Sequence, residues 1–90
     1  MILDNIHNHY EKLVFDEVLA QQATSGKEFD EGVLEDVVCV ALNNLPARYV
    51  RHSVDIAFYL TLPEREQMDK LVRNAVKDAF KLVNKNPHED

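Results

Sequence analysis

Apolar residues recur at every third or fourth position in three stretches of the chain, and this helical period limits the possible folds more than any other feature. The first stretch predicts a helix over residues 4–22, whose apolar stripe is Leu3, Ile6, Tyr10, Leu13, Val14 and Val18. The second predicts a helix over residues 30–45. The third predicts a helix that opens at Thr61, whose apolar stripe is Met68, Leu71, Val72, Ala75, Val76, Ala79 and Val83. At 90 residues the chain is expected to form one mainly α domain of three principal helices, spanning residues 1–90.

Residues suited to helix ends stand where these helices are expected to begin and end. Asp4 and Asp30 can cap the first two helices. Thr61 and Glu64 have the spacing of a capping box. Pro46 disfavours helical geometry in the residue before it, and therefore ends the second helix.

The predicted second helix carries apolar residues on two faces. Its main stripe consists of Leu34, Val37, Val38, Ala41, Leu42 and Leu45. The opposite face reads Asp36, Cys39, Val40 and Asn43. This composition is unusual for a face in water, so we expect the face to pack on a partner or a ligand. Cys39 has apolar neighbours and no nearby base, and we expect it to be a buried structural thiol.

The stretch "SVDIAFYLT" alternates apolar and polar residues, which is typical of an extended segment. A single strand in a helical chain lacks a hydrogen-bond partner. Residues 54–60 are therefore either irregular and packed, or paired with their copy in a second subunit. Because a chain this short gains a larger core from a shared interface, we expect a homodimer.

Charge and composition exclude several classes of function. The net charge is −6, and residues 1–47 hold nine acidic residues against two lysines. This balance disfavours DNA as a partner, because the phosphate backbone requires a basic surface. No stretch is apolar enough for membrane insertion and no secretory signal opens the chain, so a cytoplasmic location is expected. Motifs typical of catalysis are absent from the sequence, and an enzyme is the least supported class.

Metal binding is not expected either. His7 and His9 are two positions apart, whereas a metal pair on a helix prefers a spacing of four. A single cysteine excludes an intramolecular disulfide and a multi-cysteine zinc site. We therefore expect no metal and no other cofactor.

The stretch "ALNNLPARYVRH" gathers positive and aromatic side chains directly after a helix break. They are Arg48, Tyr49, Arg51 and His52. Such a cluster occurs in exposed turns and in the salt bridges of dimer interfaces. It also suits the capture of a small anion, because arginine can bind a phosphate through two parallel hydrogen bonds.

The region "EDVVCVALNNLPARYVRHSVDIAFYL" resembles the late competence development protein ComFB family, chiefly through its "LNNLPARYV" core. The resemblance implies a small, mainly helical homodimer without catalysis. Some members of the family are receptors for cyclic dinucleotide second messengers and are linked to competence, type IV pili, motility or cell-size control. Others hold zinc through a cysteine cluster before the "ALNNLP" helix. Here that loop reads "TSGKEFDEG" and has no cysteine, so zinc binding is not carried over.

A cyclic dinucleotide offers two phosphates and two purines to the residues around the helix break. Arginine can bind phosphate or the edge of guanine, and tyrosine and histidine can stack on a base. Carboxylates and amides can read base edges, although the asparagines can equally cap the end of the helix. The candidate ligand-binding residues are Asp36, Asn43, Asn44, Arg48, Tyr49, Arg51 and His52.

The function that this reasoning favours is a cytoplasmic cyclic dinucleotide receptor. Cyclic di-GMP is preferred to cyclic di-AMP because of the arginines and Asp36. Ligand binding would change the affinity of the dimer for a downstream protein that the sequence does not identify. The alternative is a constitutive dimeric adaptor, which binds a protein through the second face of the predicted helix and binds no nucleotide.

Overall fold

The computed structural model describes residues 2–51 and 60–85 and contains three helices with a small sheet. We label the helices α1 (Tyr10–Ser25), α2 (Glu31–Asn43) and α3 (Leu62–Lys85), and the strands β1 (His7–Asn8) and β2 (Tyr49–Val50). A 3₁₀ turn, Ile2–Asn5, precedes β1. The mainly helical fold that the sequence predicts is confirmed, and the sheet is an addition to it.

The first helix begins later than predicted. Residues 4–22 were expected to be helical, but α1 starts only at Tyr10. The side chain of Asn8 accepts a hydrogen bond from the Tyr10 N–H, 3.2 Å away, and so replaces a helical bond with a local one. Ile6, assigned to the apolar stripe, is 39% exposed. At its other end α1 stops at Gly26, whose φ of 72° is a conformation that glycine adopts without strain.

Both ends of α2 and the start of α3 lie close to the predicted positions. Asp30 occupies the N-cap position of α2, although its side chain makes no capping hydrogen bond. The Thr61 hydroxyl oxygen accepts the Glu64 N–H at 3.3 Å, as the predicted capping box requires. α2 ends at Asn43, shortly before the Leu45-Pro46 pair.

The three helices share one apolar core. Its buried members are Tyr10, Val14, Val18, Val37, Ala41, Leu45, Met68, Val72, Ala75, Val76, Ala79 and Val83. The predicted stripe of α3 is confirmed almost in full, with Leu71 half-buried. In the part of the chain that the structure describes, no helix is both long enough and apolar enough to cross a bilayer.

α1 and α3 run in the same direction, and α2 runs against both. The start of α1 lies beside the first turns of α3, as is seen from Tyr10 and Met68, which border the same recess. Further along, the Gln21 side chain of α1 donates a hydrogen bond to the Arg73 carbonyl of α3 at 3.1 Å. The short turn from Gly26 to Asp30 reverses the chain between α1 and α2.

Cys39 is exposed, so the prediction of a buried structural thiol is wrong. The core lies on the side of α2 that carries Val37 and Ala41, and Cys39 lies outside that stripe. Asp36 and Val40 on the second face are half-buried, and Asn43 is exposed. Of the alternating segment 54–60, residues 54–59 lie outside the described residues, and Leu60 packs against the core.

We predict that a substitution in the core lowers the stability of the protein, whereas a small substitution at Cys39 does not. Val76→Ala removes methyl groups from a fully buried side chain, and should lower the free energy of unfolding by about 1–3 kcal/mol. Cys39→Ser changes an exposed group and should stay within about 0.5 kcal/mol of wild type. Urea denaturation measures both, and an equal loss in the two variants would contradict this assignment of the core.

Candidate functional site

Two short strands join the N-terminal segment to the residues that follow the helix break. β1 and β2 pair antiparallel, with His7 opposite Val50 and Asn8 opposite Tyr49. The sequence did not indicate this pairing, because a two-residue strand is too short to show an alternating pattern. The consequence is that His7 and His9 lie beside Arg48 and its neighbours. His7 was predicted to be helical but lies in β1.

Asn8 holds the backbone of Arg48 in place. Its side-chain oxygen accepts the Arg48 N–H at 3.0 Å and also the Tyr10 N–H at 3.2 Å. The Arg48 carbonyl in turn accepts the His9 N–H at 2.6 Å. Both backbone groups of Arg48 are therefore bonded to the two residues that precede α1, while its side chain remains exposed.

Two arginines and two histidines lie around this junction. Arg48 and Arg51 are exposed, His7 belongs to β1 and His9 follows it. Partial burial, and then the neighbouring His7 and Arg48, lower the pKa of His9 from its usual 6.5. Burial raises the pKa of Tyr10, and Arg48 opposes that rise. The guanidinium charges of Arg48 and Arg51 would attract an anion to this position.

A recess of about 280 Å³ opens beside Arg48, and we call it the Arg48 recess. It is lined by Tyr10, Pro46, Ala47, Arg48, Leu60, Glu64, Gln67 and Met68. Tyr10 and Met68 are buried, whereas the side chains of Arg48, Glu64 and Gln67 are exposed. The recess thus combines an apolar wall with a cation, a carboxylate and an amide.

The starts of two helices border the Arg48 recess. Tyr10 is the first residue of α1, and Glu64 belongs to the first turn of α3. The N-terminus of each helix carries a partial positive charge, and parallel helices bring these charges to the same end of the bundle. The two dipoles and Arg48 favour an anion here, while Glu64 opposes one and can accept hydrogen bonds.

The predicted site residues are only partly brought together. Tyr49, which is 69% exposed, and Arg51 follow Arg48 directly. Asp36 and Asn43 lie on α2 about 10 Å apart along the axis at 1.5 Å per residue. Neither lines the Arg48 recess.

Asn44 and His52 stand apart from this group. The Asn44 amide donates to the Val40 carbonyl at 3.0 Å, so Asn44 caps the end of α2, as its alternative interpretation proposed. His52 lies outside the described residues.

Glu64 and Gln67 are the lining residues that sequence reasoning missed. Glu64 was noticed only for its capping-box spacing, and Gln67 gave no signal. Their closeness to Arg48 depends on the parallel packing of α1 and α3, which no local pattern encodes.

A comparison with protein families identifies the family of the chain. The profile of the family described as "Late competence development protein ComFB" matches residues 7–87. The chain belongs to the ComFB family. Its family description associates this ComFB domain with competence, and the resemblance of the "LNNLPARYV" core is confirmed. No curated protein sequence matches the chain.

We predict that Asn8→Ala destabilises the junction of β1 and β2. The variant leaves the Arg48 and Tyr10 N–H groups without their acceptor, and should cost about 1–2 kcal/mol of unfolding free energy. Asn8→Asp retains the acceptor oxygen and should stay close to wild type. Urea denaturation and amide exchange at Arg48 measure the effect, and equal values for the two variants would contradict it.

The lowered pKa of His9 predicts a dependence of stability on pH. Below pH 6.5 the unfolded chain binds a proton at His9 more readily than the folded chain does, so stability should rise with pH until 6.5 is passed. His9→Gln should flatten this rise between about pH 5 and pH 7.5. Unfolding free energies of both proteins across that range give the comparison, and an unchanged slope in His9→Gln would contradict the prediction.

Proposed function

We propose that this ComFB protein is a homodimeric, non-enzymatic receptor for a cyclic dinucleotide, with cyclic di-GMP preferred to cyclic di-AMP. The observation that carries the proposal is the Arg48 recess, where an exposed arginine on a fixed backbone meets the N-termini of two helices. Ligand binding would shift the populations of the dimer and change its affinity for a downstream protein.

The phosphate would bind to the positive groups at this end of the bundle. The Arg48 backbone is fixed by two hydrogen bonds to the N-terminal segment, one from its N–H to Asn8 and one from the His9 N–H to its carbonyl, so its guanidinium projects from a stable position. Arg51 follows on the same segment, and the helix dipoles add to the field. In a protein of net charge −6, a local positive region discriminates in favour of a small anion and against long nucleic acids.

The base would be read by residues on α3. Guanine presents an N1–H and an amino group, both donors, and the Glu64 carboxylate is an acceptor at the edge of the recess. Adenine lacks that pair of donors, so a carboxylate favours guanine. Glu64, and not Asp36 as the sequence suggested, would be the carboxylate that recognises guanine. Tyr49 offers an exposed ring on which a base can stack.

The size of the Arg48 recess favours a half-site. Its volume of about 280 Å³ is slightly below the roughly 300–1,000 Å³ of typical small-molecule pockets. A cyclic dinucleotide has two equivalent halves, and two copies of the recess related by a two-fold axis would match them. The proposal therefore requires a dimer when ligand is bound, which sedimentation at micromolar concentration measures.

Calorimetric titration with cyclic di-GMP, cyclic di-AMP and GTP tests the proposal. Cyclic di-GMP should bind most tightly. Arg48→Ala or Arg51→Ala should lose about 1.5–3 kcal/mol for a charged hydrogen bond, which is roughly ten- to hundredfold in affinity. Arg48→Lys should recover only part of the loss, because an ammonium cannot reproduce the planar fork. Arg73→Ala is the matched control, because Arg73 is an exposed arginine on α3 that does not line the recess.

Two results would count against a receptor. Wild type that shows no heat of binding and no thermal stabilisation by any nucleotide would favour the adaptor, for which the exposed Cys39 and Asn43 offer a contact face. If the Arg48→Ala and Arg51→Ala variants are monomeric, the arginines belong to a subunit interface and not to a ligand site.

A further inference from the structure

An apolar groove lies between α1 and α2 on the side that α3 leaves open. Phe15 and Leu19 of α1 form one wall, and Leu34 and Val38 of α2 form the other. Its volume is about 380 Å³, and Phe15 and Leu19 are 53% and 42% exposed. We call it the α1–α2 groove. It shares no lining residue with the Arg48 recess.

The shape of the groove fits a helix. Phe15 and Leu19 are four residues apart, as are Leu34 and Val38, so each wall is a ridge of side chains along its helix. A third helix packs between two such ridges with its own apolar side chains in the gap. On the opposite side of α1 and α2 the core of α3 already does this.

Acidic groups border the α1–α2 groove. Glu31 and Glu35 of α2 line it and are exposed. No lysine or arginine is among the lining residues. A second copy of the chain, placed on the groove by a two-fold axis, would bring its own Glu31 and Glu35 against these carboxylates. The charge therefore favours a basic partner over a second copy.

We propose that the α1–α2 groove binds an amphipathic helix of another protein. The apolar stripe of that helix fills the space between Phe15, Leu19 and Val38, and lysines or arginines beside the stripe pair with Glu31 and Glu35. Apolar contact supplies most of the affinity, and the charge pairs select a basic helix against an acidic one. This inference does not depend on nucleotide binding, because the two sites have separate linings.

A synthetic helical peptide of about 18 residues, or five turns, tests the groove. The probe carries a leucine stripe flanked by lysines, and its control has glutamate in place of every lysine. Cys39 lines the groove and is the only cysteine in the chain, so the rate of its alkylation by a maleimide reports occupation directly. The lysine peptide should slow alkylation in a saturable manner, and the glutamate peptide should not.

Substitutions then assign the contact. Phe15→Gln and, separately, Leu19→Gln should lower the affinity for the lysine peptide by about tenfold or more, as measured by fluorescence anisotropy. Leu82→Gln is the matched control, since Leu82 is 48% exposed on α3 and does not line the groove. Glu31→Gln combined with Glu35→Gln should weaken binding and reduce its dependence on salt. Circular dichroism verifies that each variant is folded.

Three results would overturn the proposal. The first is equal binding of the lysine and glutamate peptides. The second is equal loss of affinity in Phe15→Gln and Leu82→Gln. The third is slower alkylation of Cys39 as the protein concentration rises without peptide, with this effect abolished in Phe15→Gln. That last result would assign the groove to a second copy of the chain.

Discussion

The side-chain oxygen of Asn8 accepts two backbone N–H groups, one from Tyr10 and one from Arg48, which is 40 residues away in sequence. This one atom therefore bonds to the first residue of α1 and to the chain that follows the helix break. The His9 hydrogen bond and the two-residue strand pairing hold the same loop in place. The position of every candidate ligand group on that loop follows from this junction.

The parallel arrangement of α1 and α3 brings the partial charges of their like ends together. Their N-termini meet at the Arg48 recess, where the partial positive charges add to that of arginine. Their C-termini meet at the other end, beside Lys27, Lys77 and Lys81. There the lysines offset the negative ends of the helices, and the Phe29 and Phe80 rings, with centroids 5.4 Å apart, join the α1–α2 turn to α3. Of these two regions, the first combines a cation with the starts of two helices.

Local patterns predicted what depends on local sequence. The stripe of α3 and the Thr61 cap were recognised because helical period and capping act within a few residues. The late start of α1 was missed, since the segment before Tyr10 pairs with residues 48–50, which lie about 40 positions later in the sequence. Cys39 was misplaced because apolar sequence neighbours do not determine which side of α2 meets the core. Glu64 entered the candidate site only through the packing of α1 against α3.

The central claim is that the Arg48 recess, at two helix N-termini, is the nucleotide site. Backbone amide shifts in two-dimensional NMR, recorded during a titration with cyclic di-GMP, test it most directly. The account predicts that the largest saturable changes occur at residues 8–11, 47–51 and 61–68, with little change at residues 21–29 and 77–84. Absence of saturable shifts, or shifts concentrated at residues 21–29 and 77–84, would contradict it.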